Sequence, residues 1–337
     1  MSETRSIPVL LGIITVILAA AALNLAQSIL APLAFALFII AVVWPAQRSL
    51  QARMPELLAL FITLLGTAVV IVVLALLIAW GFGRVIHWLV ANVDRLEMLY
   101  LRKAAWATDH GFEVAGVLAE QFDVRWVLRV AQQVSGTLQS TVSFATLTLV
   151  FTLLGLLEVG TTKERLAALA KRRDGAATVL RAGAATAAKL QRYMLVRSAI
   201  SLLTGLVIWG FAVAVGLELA AEWGVIAFVL NYIPFIGPLL ATSLPTIFAA
   251  IQFDCFEMAA AVFVGLNVIQ FFSGSYIEPR VAGAALSVSP FIVLLAVFLG
   301  GFLWGIPGAF IGVPCVIAVL TLCREDSRSR WVAELLS

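Results

Sequence analysis

Residues 233–238 read Ile-Pro-Phe-Ile-Gly-Pro, and residues 306–314 read Ile-Pro-Gly-Ala-Phe-Ile-Gly-Val-Pro. In both stretches an Ile-Pro pair is followed by Phe-Ile-Gly, and both lie inside long apolar runs. Proline removes a backbone donor and breaks the interior of a helix, and glycine adopts backbone angles that other residues avoid. The pattern therefore predicts two broken helices, in a C-terminal region that repeats itself.

The lengths of the two runs show how these breaks fit a membrane. Residues 223–253 form an uncharged run of 31 residues, and residues 287–323 form one of 37. As straight helices they would be about 46 Å and 55 Å long, against about 30 Å of hydrocarbon. We therefore expect two re-entrant helical hairpins, each with its tip at the Pro/Gly motif. Eight full spans fit the same lengths, and the two topologies differ in the side on which 274–289 lies.

The composition of the whole chain indicates a membrane protein. Of its 337 residues 62% are hydrophobic and only 12% charged, whereas soluble domains are about 25% charged. These values exclude a soluble enzyme, a disordered chain and a nucleic-acid binder. The three cysteines, Cys255, Cys315 and Cys323, predict no disulfide scaffold, and with two histidines in the chain no metal site is expected. No cofactor is predicted.

The N-terminal half predicts four further spans. Residues 6–47 carry no formal charge and would form a helix of about 60 Å, so we expect them to fold back around Asn24, Gln27 and Pro32. Nine basic residues against two acidic ones in 159–197 predict a cytoplasmic loop, because basic loops stay inside. Six basic and six acidic residues in 84–140 show no such bias, so this segment is expected outside, as amphipathic helices.

These patterns together predict an all-α polytopic membrane protein with about six spans and two re-entrant hairpins, or eight spans, and with both termini cytoplasmic. The hairpin topology makes 193–253 and 254–323 an inverted repeat. The expected segments are the N-terminal helices (1–83), the extracytoplasmic segment (84–140), the fourth span with its basic helical loop (141–192), the transport core (193–323) and the tail (324–337).

Polar and helix-breaking residues within these spans are the candidate site. Asn267 and Gln270 share one helix face at a spacing of three residues, where interhelical hydrogen bonding is the alternative to ligand contact. Glu278 and Arg280 flank Pro279 and are candidates for coupling or gating, or a charge pair at the membrane edge. The remaining transport-path candidates lie at the two motifs: Asn231, Pro234, Phe235, Gly237, Pro238, Pro307, Gly308, Phe310, Gly312 and Pro314.

Several of these motifs, in order and spacing, resemble the autoinducer-2 exporter (AI-2E) family. The resemblance is carried by Arg192-Tyr193, by Asn-Tyr-Ile-Pro-Phe-Ile-Gly-Pro at 231–238, by Glu-Pro-Arg-Val-Ala-Gly at 278–283, by Leu-Ser-Val-Ser-Pro at 286–290, and by Trp-Gly-Ile-Pro-Gly at 304–308 with Val313-Pro314. It implies a transporter of the prokaryotic inner membrane that works without ATP hydrolysis. It also implies a homo-oligomer, with a pentamer suggested, and an elevator-like movement of the repeat region.

The sequence therefore predicts a secondary transporter or exporter of a small polar solute of the autoinducer-2 type, with alternating access at the two broken helices. Two alternatives remain at this point, a monovalent cation (Na⁺ or Li⁺)/proton antiporter and a membrane scaffold that transports nothing. An enzyme is not expected, because the sequence contains no His-Glu-x-x-His, Gly-x-Ser-x-Gly or Walker A motif.

Overall fold

The computed structural model describes residues 3–93, 95, 98, 102, 125–282, 288–325 and 329–336, and the regular elements within them are all helices. Seven of these helices are long and apolar enough to cross a membrane. The protein is therefore an all-α polytopic membrane protein. The helices are α1 (Glu3–Leu25), α2 (Gln27–Gln51), α3 (Glu56–Ala91), α4 (Arg125–Ala170), α5 (Asp174–Ala214), α6 (Ala220–Leu230), α7 (Ile236–Phe253), α8 (Phe256–Phe271), a π-helical segment (Phe272–Ile277), α9 (Glu278–Ala282), α10 (Pro290–Glu325) and α11 (Arg330–Leu335).

The first two helices are separated by a single residue, Ala26, between Leu25 and Gln27. A one-residue break is therefore present where the chain was expected to fold back, and the fold-back itself stays a prediction. Pro32 was expected in the same turn, but it lies inside α2. A proline inside a helix removes one helical hydrogen bond, and α2 continues past it to Gln51.

Three of the helices are longer than a membrane is thick. α3, α4 and α5 have 36, 46 and 41 residues, or about 54, 69 and 62 Å at 1.5 Å per residue. The predicted helical loop at 163–192 is accordingly made of the end of α4 and the start of α5. Within the segment 84–140, where amphipathic surface helices were expected, α3 runs to Ala91 and α4 starts at Arg125. Most of the segment between these two helices, including 103–124, lies outside the described residues.

The chain divides into two compact units. The terminal unit comprises Met1–Val69, Ser143–Leu195 and Ala282–Ser337, and the central unit comprises Val70–Val142 and Val196–Val281. Each unit holds one of the two broken stretches.

The central unit is built around an apolar core that α5, α6, α7 and α8 share. Ile208, Trp223, Phe248 and Val262 lie in this core, each 2% exposed or less. α5 and α6 also touch through glycine, because a Cβ on Gly205 would crowd the carbonyl oxygen of Gly224. Small residues of this kind allow close approach of helices in membranes.

The first broken stretch forms an antiparallel pair, hairpin A, in which α6 and α7 are joined by the turn Asn231–Phe235. At the start of α7, a Cβ on Gly237 would overlap the carbonyl oxygen of Leu230 at the end of α6. At the opposite end, Arg84 of α3 pairs with Glu222 of α6 at 3.1 Å, and Trp88 donates to Glu218 at 2.6 Å. Hairpin A is thus closed at its tip by backbone contact and held at its base by the end of α3.

The second broken stretch, α10, folds back on itself and forms hairpin B. Its backbone leaves helical angles at Trp304 (φ −134°, ψ 17°) and Gly305 (φ 64°, ψ −146°). Gly300 lies against the backbone of Gly308, and Ala296 lies against that of Gly312. The second contact lies four residues further from the turn on each arm than the first. The arms 290–303 and 306–325 therefore run antiparallel.

The tip of hairpin B lies at Trp304–Gly305, slightly before the Pro/Gly motif at which it was expected. Gly305 has a positive φ, which glycine adopts without steric cost, so this residue forms the turn. Pro307 then falls in the first turn of the second arm, where the missing N–H of proline is tolerated. Gly308 and Gly312 serve the close packing of the two arms.

Candidate functional site

The buried face of α5 in the central unit carries a stripe of polar side chains. Arg197, Ser201 and Thr204 are 5%, 0% and 1% exposed, and their spacing of four and three residues places them on one face of the helix. Ile200 and Ile208 complete the same face. Polar side chains inside a membrane are costly and tend to mark transport paths, so this stripe is the starting point for a site.

The stripe begins with an ion pair between Arg197 and Glu278. Nη1 of Arg197 donates to both carboxylate oxygens of Glu278, at 2.8 and 2.9 Å. The arginine side chain is 6% exposed and the glutamate side chain 33%. Among the described residues, Nε of Arg197 and Oγ of Ser201 have no hydrogen-bond partner. The pair therefore neutralises a buried charge, and two buried polar groups beside it lack a partner among the described residues.

The expected partner of Glu278 across Pro279 was Arg280, and this pair is not formed. The guanidinium of Arg280 lies 3.5 Å from the centroid of the Tyr276 ring, a cation–π contact. Residues two apart on a helix do not face each other, which explains why Glu278 and Arg280 diverge. Sequence reasoning missed Arg197, which it counted with the basic cytoplasmic loop. The signal that could have found it is the polar spacing Arg197, Ser201, Thr204 at the start of an apolar span.

The polar stripe continues to the π-helical segment after α8. The hydroxyls of Thr204 and Ser273 are hydrogen bonded to each other, and both residues are buried. Beside them lies a groove of about 320 Å³, lined by Leu203, Thr204, Val207, Val268, Ile269, Phe272, Ser273 and Ile277. Single π-helical turns inside α-helices are frequent at functional sites, and this one brings Ser273 to the stripe.

The tip of hairpin A lies beside the start of the stripe. The hydroxyl of Tyr232 donates to Oγ of Ser198 at 2.8 Å, and Asn231 is 4% exposed. Phe235 has φ 62° and ψ −55°, and the N–H of Ile236 donates to the carbonyl of Pro234 at 2.7 Å. This is a γ-turn with positive φ, which is rare and strained. Strained residues cluster at functional sites. The strained turn therefore makes the tip of hairpin A a candidate part of the transport path.

We expect Phe235→Gly to be more stable than Phe235→Ala by about 1 kcal/mol, because glycine adopts the positive φ without strain. Both substitutions remove the half-exposed ring, so the difference between their stabilities measures the backbone strain at position 235. Unfolding of the two purified variants in mixed detergent micelles measures it. Equal stabilities would show that the turn is not strained.

The other candidates of the central unit lie in different surroundings. Asn267 is exposed, and its amide donates to the carbonyl of Phe263 in its own helix at 2.8 Å. Gln270 is half-buried, and its Nε2 has no partner among the described residues. Pro234, Gly237 and Pro238 belong to the tip and the first turn of α7. A ligand role for Asn267 and Gln270 stays a prediction.

The candidates of hairpin B lie in the terminal unit. The Phe310 ring stacks on Phe35 with centroids 5.6 Å apart and meets Phe38 edge-on at 6.3 Å. Gly308, Gly312 and Pro314 are buried, and Pro307 is half-buried. This second arm is therefore packed by aromatic rings and glycine.

Among the described residues no group of three or more His, Cys, Asp or Glu side chains could hold a metal ion. The polar stripe of α5 itself carries the hydroxyls of Ser201 and Thr204 and the ion pair of Arg197 with Glu278.

Comparison with known proteins covers almost the whole chain. The sequence model of AI-2E family transporters matches residues 11–325. The AI-2 transport protein TqsA of Escherichia coli K12 is 28% identical over 98% of this chain and 95% of its own length. A Haemophilus influenzae protein that is provisionally assigned to transport is 26% identical over 94% of this chain and 92% of its own length.

Proposed function

The chain belongs to the AI-2E transporter family, and on that premise we propose that it is a secondary transporter or exporter of a small polar solute of the autoinducer-2 type. Membership of the family, transporter relatives and seven apolar helices make it a multi-pass membrane transporter. The solute is taken from TqsA, whose name states AI-2 transport. We place the protein in the inner membrane of a prokaryote, as a homo-oligomer with both termini cytoplasmic.

The single observation that carries the proposal is the buried polar stripe beside the tip of hairpin A. Buried polar groups nearly always have partners, yet Nε of Arg197 and Oγ of Ser201 have none among the described residues. An oxygen-rich solute supplies the missing acceptors for the guanidinium and hydroxyl donors. In this reading Arg197 and Ser201 bind the solute, and Glu278 orients the guanidinium and balances its charge.

Alternating access would arise from the two hairpins. Hairpin A would enter from outside, and hairpin B from the cytoplasm, as the two broken elements of an inverted repeat. Backbone freed at such breaks is tolerated in a membrane where it lines a wet cavity. The strained turn at Phe235 and the glycine turn at Gly305 supply the two breaks. Movement of the tips would open the solute site to each side in turn.

The geometry of Glu278 favours solute transport over cation–proton exchange. Ion-coupled transporters hold carboxylates that bind and release the ion, and here Arg197 occupies both oxygens of this carboxylate. Within the described part of the chain the acidic residues form no cluster that could take a metal ion.

The proposal is tested by reconstituting the purified full chain in liposomes and measuring uptake under three gradients, of autoinducer-2, of sodium ions and of protons. We expect uptake of autoinducer-2, lost in the double variant Arg197→Met/Glu278→Leu. Flux of sodium ions or protons without autoinducer-2 uptake would replace the proposal by the antiporter, and no flux of any kind would favour the scaffold.

A further inference from the structure

The tip of hairpin B in the terminal unit is tied to the end of α1 by hydrogen bonds in both directions. The amide nitrogen of Asn24 donates to the carbonyl of Leu303 at 2.9 Å and to that of Phe302 at 3.4 Å. The indole nitrogen of Trp304 donates to the carbonyl of Leu23 at 3.0 Å. We call these five residues the α1 latch.

The latch hydrogen bonds satisfy carbonyl groups that the break leaves without helical partners. The last carbonyls of a helix have no partner within it, and the first arm of hairpin B ends where Trp304 and Gly305 leave helical angles. The carbonyls of Phe302 and Leu303 are therefore at a helix end, as is that of Leu23 in the last turn of α1. Unpaired carbonyls are costly where water is excluded, and each element provides the donor for the other.

The rest of hairpin B is held by different forces. Its arms meet through the glycine backbones of Gly300 and Gly308, and Phe310 of the second arm stacks on Phe35 of α2. These are packing contacts of backbone and aromatic rings. The latch hydrogen bonds act at the turn itself, and each has a side-chain donor, Asn24 or Trp304.

We propose that Asn24 is a positioning residue that holds the tip of hairpin B closed against α1, and that the tip opens during transport when the α1 latch is released. The inference rests on the proposed function for the meaning of the opening, because a moving tip serves alternating access. The hydrogen bonds of the latch do not depend on which solute is transported, so they can be tested without a transport assay.

The test is hydrogen–deuterium exchange of the full chain in lipid nanodiscs, followed in peptides that cover 300–310. Asn24→Leu has nearly the same shape without the donor, and we expect the backbone amides of the tip to exchange about tenfold faster in it, the scale of one interhelical hydrogen bond in a membrane. Asn24→Gln keeps the amide donor and is expected to restore slow exchange at least in part.

Two references separate a local latch from general loosening. Thr15→Val is the matched control on α1, because the Thr15 hydroxyl donates to Leu11 of its own helix, and it should leave the tip unchanged. Peptides of hairpin A, 228–240, are the internal reference. Unchanged exchange at 300–310 in Asn24→Leu, or an equal increase in hairpin A, overturns the inference. Faster exchange at 300–310 alone supports it, even in a protein whose liposomes take up no autoinducer-2.

Discussion

Glu278→Leu will lower the free energy of unfolding by about 3–5 kcal/mol and abolish solute uptake, since breaking a buried ion pair leaves an uncompensated charge. The charge left behind is that of Arg197, whose side chain is 6% exposed. Arg197→Met leaves the carboxylate of Glu278, which is 33% exposed and better solvated. We therefore expect Arg197→Met to cost less than Glu278→Leu.

The double variant Arg197→Met/Glu278→Leu separates stability from function. Replacing both members of a buried pair by apolar side chains is often neutral for stability, so the double variant should unfold close to the parent protein. It should still fail to transport, because the proposed solute-binding guanidinium is gone. Unfolding in mixed detergent micelles and liposome uptake measure the two effects. Uptake at the parent rate in the stable double variant would remove the ion pair from the mechanism.

Gly237→Leu and Gly312→Leu will abolish uptake, because neither position has room for a side chain. A Cβ on Gly237 would overlap the carbonyl oxygen of Leu230, and one on Gly312 would overlap that of Ala296. Backbone cannot rotate away as a side chain does, so the arms of each hairpin must separate. Overpacking costs about 1–3 kcal/mol and sometimes more. We expect both variants to insert and assemble, with hairpins that no longer close.

The chain offers matched controls for each substitution. A Cβ on Gly210, in the central unit, or on Gly66, in the terminal unit, would meet no atom within 4 Å. Gly210→Leu and Gly66→Leu add the same side chain on helices that cross the same membrane, and they should transport at the parent rate. Liposome uptake of the four variants shows whether transport requires close packing of the hairpin arms. Normal uptake in Gly237→Leu and Gly312→Leu would show that tight hairpins are not needed.

The two breaks were predictable because their causes are local. Pro234 and Gly237, or Pro307 and Gly312, lie within a few residues of each other, and proline and glycine act on their own backbone. The length of each uncharged run then requires a fold-back. The precise turn of hairpin B was less predictable, since Gly305 stands just outside the repeated motif and its positive φ is a property of the folded hairpin.

The partners of the polar residues were not predictable in the same way. Glu278 has a basic neighbour two residues away in Arg280, but its partner in space is Arg197, 81 residues earlier. Asn24 lies beside the expected break, but the contact of its amide with Leu303, 279 residues later, was not expected. Such contacts depend on helix packing, which composition and periodicity do not contain. The nearest sequence signal is the helical spacing of polar residues at the start of an apolar span, as at Arg197, Ser201 and Thr204.

Cysteine labelling tests whether the tip of hairpin A lines a water-filled path inside the membrane. In a background with Cys255, Cys315 and Cys323 replaced by serine, Phe235→Cys is treated in proteoliposomes with a water-soluble maleimide. Leu76→Cys is the control, because Leu76 is 62% exposed on an apolar helix that we expect to face lipid.

We expect the thiol at position 235 to react, at a rate that changes when a solute gradient is imposed, while the thiol at position 76 stays unmodified. A thiol at position 235 that remains as unreactive as the one at position 76, under every gradient, would contradict this expectation.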